Sequence, residues 1–573
     1  MGIPFDQFAK NKYQQMKRII TLVFLIAGFT ISAQIAPHKY FVEFKDKNQN
    51  PWSLDHPEQF LTPRAIQRRQ AMGIGYEQND LPVTPVYLQT IQNLGAQILN
   101  PTKWLNGTTI YLADTSLIDT IKKLLFVKSV VNHSGVSLKV SAPYDKFYIE
   151  NQIVPVSRPS YSVKNASGFD YGESYAQIHQ VDGDVMHQNG FRGQGIVIAQ
   201  LDAGFYHVPL LPAFDSLRAN NQILGYKDFV KNGLPVFDDP KDAHGMWVLS
   251  IMGGLIPGHL IGSAPKACFW LLKTEEYQHE YETEEYNWVS GAEFADSVGA
   301  DIITSSLGYT LFDSTFRDHT CADMDGHTTV CSRGANTAFS KGIVVVVSAG
   351  NEGDKPYWRC ISAPADADFA IACAAVDSDG KRVSFSSLGV DTGGRVKPNV
   401  AAMGYLTVIQ DVGGNITRGN GTSFSAPIIA GMTACLLQSR PAYANTFIKN
   451  AIERAGNHSS TPDSLTGYGI PDFVKAMNIT GIKEDSRSIN LSAFPNPVSS
   501  GLSLKFNSSQ AGTSEIKIID AIGRAHMVRI ISVREGENSL IINNLTGLKP
   551  GMYIITLNSE FLHATCQMIK LPE

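Results

Sequence analysis

Three short, largely apolar runs constrain the middle of this chain more than any other feature: Gly195-Ile196-Val197-Ile198-Ala199-Gln200-Leu201, Ile302-Ile303-Thr304 and Ile343 to Val347. Their length and β-branched content fit strands buried on both faces, as in a parallel sheet with helices on either side. Helical stretches alternate with them from about 173 to 480, so a doubly wound α/β domain is expected there. Each run ends at or just before a residue with chemistry: Asp202, Ser305-Ser306 and Asn351. Open α/β sheets bind ligands at the carboxyl ends of their strands, so a site assembled from these three ends is expected.

At 573 residues the chain is too long for one core. Residues 38–138 read as a small α+β unit. Tyr40 to Phe44 is a strand, Val86 to Leu94 a helix, and Gln97-Ile98-Leu99 and Thr108 to Leu112 are strands around an Asn106-Gly107 turn. Asp114-Thr115-Ser116 caps a second helix through Leu125, and Val127 to Val131 is a last strand. That β-α-β-β-α-β order suits a split βαβ sandwich. Residues 139–172, with Pro143, Pro155 and Pro159 and no sustained periodicity, read as a linker. After about Ile482 the texture changes. Phe494-Pro495-Asn496-Pro497 opens a segment of strands at Leu502 to Phe506, Ser514 to Ile519, Ser539 to Ile542 and Tyr553 to Leu557, a small β-sandwich over 490–573.

Near the start, Met16-Lys17-Arg18 precedes an apolar run from Ile19 to Ile31 and then Ser32-Ala33-Gln34. This is the pattern of a secretory signal peptide over 1–34, with either Met16 as the start or residues 1–15 as an upstream extension; a membrane anchor is the alternative. An exported chain can form disulfides, and Cys321 and Cys331 are close enough in sequence to pair. The total of seven cysteines leaves at least one thiol over, and the absence of a CxxC pair argues against structural zinc. Lys and Arg number 48 against 53 Asp and Glu, a formal charge of −5 with no long basic run. Electrostatic capture of nucleic acid is therefore not indicated.

A serine hydroxyl is a weak nucleophile until a base takes its proton, and the base needs a third group to orient it. Gly421-Thr422-Ser423-Phe424-Ser425-Ala426-Pro427, followed by Ala430-Gly431, is the one serine turn built for this. Gly421 permits tight approach, Ser423 can open a helix, and Pro427 is expected in that helix's first turn. The segment resembles the nucleophile motif of the subtilases, Gly-Thr-Ser-x-x-Ala-Pro-x-x-Ala-Gly, at every specified position. Asp202 in Leu201-Asp202-Ala203-Gly204 resembles that family's aspartate motif, and His244 in His244-Gly245-Met246-Trp247-Val248 its histidine motif. The order Asp, His, Ser also agrees. Ser348-Ala349-Gly350-Asn351-Glu352-Gly353 resembles the oxyanion motif, and Ser306-Leu307-Gly308 the edge that pairs with extended substrate. Ala203, where the family has Ser or Thr, and Met246-Trp247, where it has Thr-His, are departures expected to alter packing only.

The resemblance implies a secreted serine endopeptidase acting on polypeptides, with Asp202, His244 and Ser423 as triad and Asn351 as oxyanion donor. It implies an inhibitory propeptide in the N-terminal unit, removed by self-cleavage within 139–172. The tail, with Phe494 to Pro497 and Gly551-Met552-Tyr553, resembles the type A sorting domain of type IX secretion, which implies contact with that machinery and release or surface attachment. No cofactor is required. Asp323-Met324-Asp325-Gly326 has the flavour of a calcium loop but lacks the closing glutamate of an EF-hand, so a structural calcium is allowed rather than demanded. His207, His259, His319 and His327 have no matching context and read as surface or structural. The competing class is an inactive subtilase fold serving as a surface-binding protein. A lipase-type hydrolase lacks its GxSxG elbow here.

Overall fold

The structure is a computed structural model. It describes residues 34–35, 38–133, 135–136, 146–155, 168–230, 235–313, 318–389, 395–441, 443–479, 491–508, 510–520, 525–543, 545, 547–559 and 563–571. The segment expected to be a signal peptide, 1–34, lies outside them, apart from Gln34 at its end. The chain divides into two compact units, Met1–Asn478 and Ile479–Glu573.

The N-terminal part of the first unit is the expected four-stranded antiparallel sheet: β1 (Lys39–Phe44), β2 (Gln97–Thr102), β3 (Gly107–Tyr111) and β4 (Val127–Asn132), in the order β2-β3-β1-β4. Helix α1 (Pro63–Ala71) was not foreseen; α2 (Pro85–Asn93) and α3 (Ile118–Lys122) lie where helices were expected. Thr62 caps α1, its side chain accepting from the Ala65 N–H, and Pro63 opens it. That is a start signature readable in sequence. Alternate residues Tyr40, Val42 and Phe44 of β1 pack with Ile91, Ile110 and Ile121 into a small apolar core.

The sheet that carries the site has seven strands: β6 (Val197–Asp202), β7 (Ile223–Asp228), β8 (Cys268–Lys273), β9 (Ile302–Ser305), β10 (Val344–Ser348), β11 (Ile371–Val376) and β12 (Val400–Met403). The short strand β5 (Val154–Pro155) precedes them in the chain. The order of the sheet is β7-β8-β6-β9-β10-β11-β12, and every pairing is parallel. The chain fills one side of β6 with β7 and β8, then crosses to lay β9 on the other. The crevice at the β6 and β9 ends is thus the topological switch point. Helices α4 (His244–Gly253), α5 (Thr283–Val298), α6 (Val330–Ser340) and α7 (Thr422–Ser439) cover the sheet. Strands β6, β9, β10, β11 and β12 are buried at every residue, which is why they read as apolar runs rather than alternations.

The N-terminal sheet docks on α5. Asn100 Nδ2 donates to the Phe229 carbonyl (2.7 Å) and to Asn287 (2.9 Å). Glu293 accepts from the Thr102 hydroxyl (2.6 Å) and from the Lys103 and Trp104 amides, both at 2.8 Å. Asp296, fully buried, pairs with Arg68 (2.7 Å), Arg69 (2.8 Å) and Lys103 (3.1 Å).

By closeness in sequence, Cys321 and Cys331 are candidates to pair. The structure instead joins Cys321 to Cys360, and leaves Cys331 reduced and buried in α6. Closeness along the chain is the weaker guide, because a helix-borne thiol in the core cannot swing out to a surface loop.

The second unit is antiparallel. One sheet is β15 (Ser492–Phe494), β16 (Gly501–Ser508) and β19 (Gly536–Asn543); the other is β17 (Gly512–Asp520), β18 (Ala525–Val533), β20 (Gly551–Asn558) and β21 (His563–Lys570). Leu502, Leu504 and Phe506 alternate inward on β16 and meet Ile516, Ile518, Ile555 and Leu557 from the other sheet. The four expected strands are present, and β15, β18 and β21 are additional.

Candidate functional site

Asp202 is the last residue of β6 and His244 the first of α4; both are fully buried. His244 Nδ1 donates to Asp202 Oδ1 at 2.6 Å. The carboxylate is also fixed by the Ala203 N–H (2.8 Å) and by Gln200 Nε2 (3.1 Å), whose amide reaches the Gly245 carbonyl as well (2.8 Å). Ala203 therefore serves through its backbone, and its departure from the family pattern leaves the carboxylate held. A Cβ on Gly245 would lie 2.4 Å from the Gly204 carbonyl, so only glycine lets α4 start this close to the strand end. Burial alone would lower the imidazole pKa; the Asp202 charge and hydrogen bond, with Glu150, outweigh it and raise the value above 6.5. With Nδ1 committed to Asp202, Nε2 is left as the basic nitrogen, and it is buried without a hydrogen-bond partner.

Ser423 lies in the first turn of α7, after Gly421 at φ 145°, a left-handed value that favours glycine. The helix starts at Thr422, so Pro427 falls in its second turn and not its first. There the missing N–H leaves the Ser423 carbonyl without its ladder partner. The Ser306 hydroxyl fills that place, donating to the Ser423 carbonyl at 2.8 Å. Asn351 follows β10, and its Oδ1 accepts from the Thr422 N–H and hydroxyl, both at 2.9 Å. That tether turns the Asn351 amide N–H toward the Ser423 side. Ser306, Leu307, Gly308, Asn351 and Ser423 line one cavity. A Cβ on Gly308 would come within 2.2 Å of Ser362 Oγ, so this wall is tight.

The structure brings Asp202 to His244, and Asn351 to Ser423, but the Ser423 hydroxyl donates to Glu150 Oε1 (2.6 Å) rather than to His244. The Asn351 Nδ2 donates to the same oxygen at 2.7 Å. Glu150 belongs to the stretch read as linker. Residues 146–155 of that stretch make turns through the cleft and end as β5, paired antiparallel with β14 (Ile416–Gly419), which pairs in turn with β13 (Thr407–Gln410). The Phe147 ring stacks on His244 with centroids 4.1 Å apart and joins the main core. Asn151 donates to the Tyr277 hydroxyl (2.9 Å). Glu150 is buried, which raises its carboxyl pKa against the opposing pull of His244 and its hydrogen bonds. Sequence reasoning missed Phe147 and Glu150. The available signal was the cluster Phe147-Tyr148-Ile149, too short to show a period.

The four histidines set aside make local contacts. His259 meets Glu173 (3.5 Å), His319 meets Glu285 (2.6 Å), His327 meets Asp368 (3.2 Å) and His207 Nδ1 lies 3.4 Å from the Val412 carbonyl. Asp325 accepts from the His327 and Thr328 amides, and Asp323 from the Thr320 amide and hydroxyl. These carboxylates serve their own turns and do not fit a calcium loop as folded. Among the described residues no helix is long and apolar enough to cross a membrane.

The parallel α/β domain thus carries an Asp–His pair at its switch point and a serine at a helix start, with Glu150 on the serine and Phe147 on the imidazole. Comparison places it further. Residues 193–469 match the subtilase family model, 39–146 the Bacteroidota peptidase S8 propeptide domain, and 492–570 the secretion system C-terminal sorting domain. The middle of this chain is thus a subtilase domain, preceded by an S8-type propeptide domain and followed by a sorting domain that marks a secreted or cell-surface protein. Subtilisin NAT of Bacillus subtilis subsp. natto and subtilisin E of Bacillus subtilis (strain 168) are each 27% identical over 283 residues, 49% of this chain and 65% of theirs. The alignment therefore spans just under two thirds of those relatives. Subtilisin of Bacillus pumilus is also 27% identical, with 90% of its length covered. Among solved structures, MycP1 from the ESX-1 type VII secretion system is 21% identical, with 57% of this chain and 90% of that one covered and a TM-score of 0.43.

Proposed function

We propose that the chain is the zymogen of a secreted serine endopeptidase. It comprises a signal peptide (1–34), an inhibitory propeptide (38–138), a linker cut during maturation (139–172), the peptidase domain (173–480) and a sorting domain (490–573) that engages the secretion machinery. The observation that carries this reading is the buried 2.6 Å bond from His244 Nδ1 to Asp202, which leaves Nε2 unpartnered.

In the processed enzyme, Ser423 Oγ attacks the scissile carbonyl of a polypeptide as His244 Nε2 takes its proton. Asp202 holds the tautomer and stabilises the imidazolium. The developing oxyanion takes the place of Glu150 Oε1 and receives the Asn351 N–H. Collapse passes the proton from His244 to the leaving amine, giving an acyl-enzyme that water hydrolyses by the same steps in reverse. The chemistry draws on these residues and calls on no cofactor. In the zymogen, Glu150 and Phe147 hold the three reactive groups out of use. After propeptide removal, Ser423→Ala should abolish hydrolysis of a denatured protein substrate. Retained turnover in that variant refutes the reading.

A further inference from the structure

Lys146, four residues before Glu150, extends into an acidic hole. Its ammonium pairs with Glu275, Glu280 (3.2 Å) and Glu284 (3.5 Å), and donates to the His279 carbonyl (2.6 Å). The glutamates are 1%, 5% and 1% exposed, and one oxygen of each lies within 4.8 Å of the others. Two are held independently of Lys146. Glu275 accepts from the Tyr309 hydroxyl (3.0 Å), and Glu284 from the Glu276 and Tyr281 amides (2.6 and 2.9 Å). Glu280 is different: its Oε1 is buried with no hydrogen-bond partner. Glu275 and Glu280 line the cavity that also holds Ser423 and Asn351.

One ammonium among three buried carboxylates leaves the hole short of positive charge. Burial pushes all three carboxyls above their ordinary value of 4.5, against the pull of Lys146. Buried charges persist only when paired. If maturation withdraws the segment that carries Lys146, the hole is left with its framework of Tyr309 and backbone donors and no cation. It then opens into the same cavity as the reactive serine. Resting on the peptidase reading above, we infer that this hole is a specificity pocket for a basic side chain, lysine or arginine, of the polypeptide substrate. Lys146 is its occupant in the precursor. The unpartnered Glu280 oxygen provides an additional acceptor, which the forked donors of arginine could use.

The test is subsite profiling of the processed protein with a peptide library, followed by matched peptides carrying Lys, Arg, Gln or Glu at the enriched position. The expected result is a preference of roughly 10- to 100-fold in kcat/KM for Lys or Arg over Gln, the range for a charge-assisted contact. In Glu280→Gln that ratio falls toward one. The wild-type comparison stands whether or not the variant folds. Hydrolysis without basic enrichment at any subsite overturns the pocket and leaves the peptidase reading intact; absence of all hydrolysis overturns the peptidase reading itself. Calorimetry with calcium alone covers the other cation. Tight binding lost in Glu280→Gln, together with no Lys or Arg preference, makes this a metal site and refutes the proposal.

Discussion

Glu150→Ala should loosen the precursor's hold on its own site. The carboxylate accepts two hydrogen bonds, from Ser423 Oγ at 2.6 Å and Asn351 Nδ2 at 2.7 Å, in a position 1% exposed. Hydrogen bonds to a charged group contribute about 1.5–3 kcal/mol each. Against that stands the desolvation of a buried carboxylate, visible in its raised pKa. Offsetting the two leaves about 1.5–3 kcal/mol for the contact, a factor of roughly 10–150 in the open population. The assay is the initial rate at which a fluorophosphonate labels Ser423 in the full-length chain, read before mass spectrometry detects any N-terminal shortening. Glu150→Ala should label faster by that factor, and Glu150→Gln by less, because the amide keeps an acceptor oxygen. Equal rates in wild type and Glu150→Ala would refute the latch and leave Phe147 and the docked propeptide as the only restraints.

Other outcomes follow from the same geometry. Asp296→Asn strips the charge that pairs Arg68, Arg69 and Lys103; breaking such a buried pair costs about 3–5 kcal/mol, so inhibition of the mature domain by its propeptide should weaken by roughly 100-fold or more. Burial would raise the Asp296 pKa, but Lys103, Arg68 and Arg69 hold it far below the ordinary 3.8. A depressed carboxyl stabilises docking above 3.8 and loses that contribution as pH falls through the bound value. The inhibition constant should thus show no Asp296 effect between pH 5 and 8 and rise in stronger acid. Asn351→Ala should cut kcat by roughly 100–1000-fold, a range set by measurement on subtilisin itself rather than by this geometry. Breaking Cys321–Cys360, which spans 39 residues, should cost about 3–4 kcal/mol on the loop-entropy argument, read as a lower Tm under reducing conditions.

What could be read from the sequence was whatever repeats locally. Strands buried on both faces announce themselves as apolar runs, so β6, β9 and β10 and the residues at their ends were legible, as was the Gly421 turn. The Asp202–His244 pair could be named because short motifs set both residues at element ends. Helix α1 was missed although Thr62-Pro63 is a start signature, because Arg68 and Arg69 look solvated and only their burial against Asp296 explains them. The acidic stretch from Glu275 to Glu285 likewise reads as surface, since carboxylates are seldom buried unless paired. Its partner, Lys146, lies 129 residues before Glu275, and no local pattern reports that distance. The cleft-filling role of Phe147 and Glu150 was hidden for the same reason: an irregular segment draws its shape from what it packs against.

Everything proposed for catalysis depends on one hydroxyl becoming abnormally reactive beside one imidazole. Stoichiometric labelling of the processed protein with a fluorophosphonate, mapped by peptide mass spectrometry, measures that directly. The account predicts one equivalent of label on Ser423, loss of peptide hydrolysis in step with labelling, and no label in His244→Ala. An unlabelled Ser423 in a folded, processed chain, or hydrolysis that survives full labelling, would contradict it.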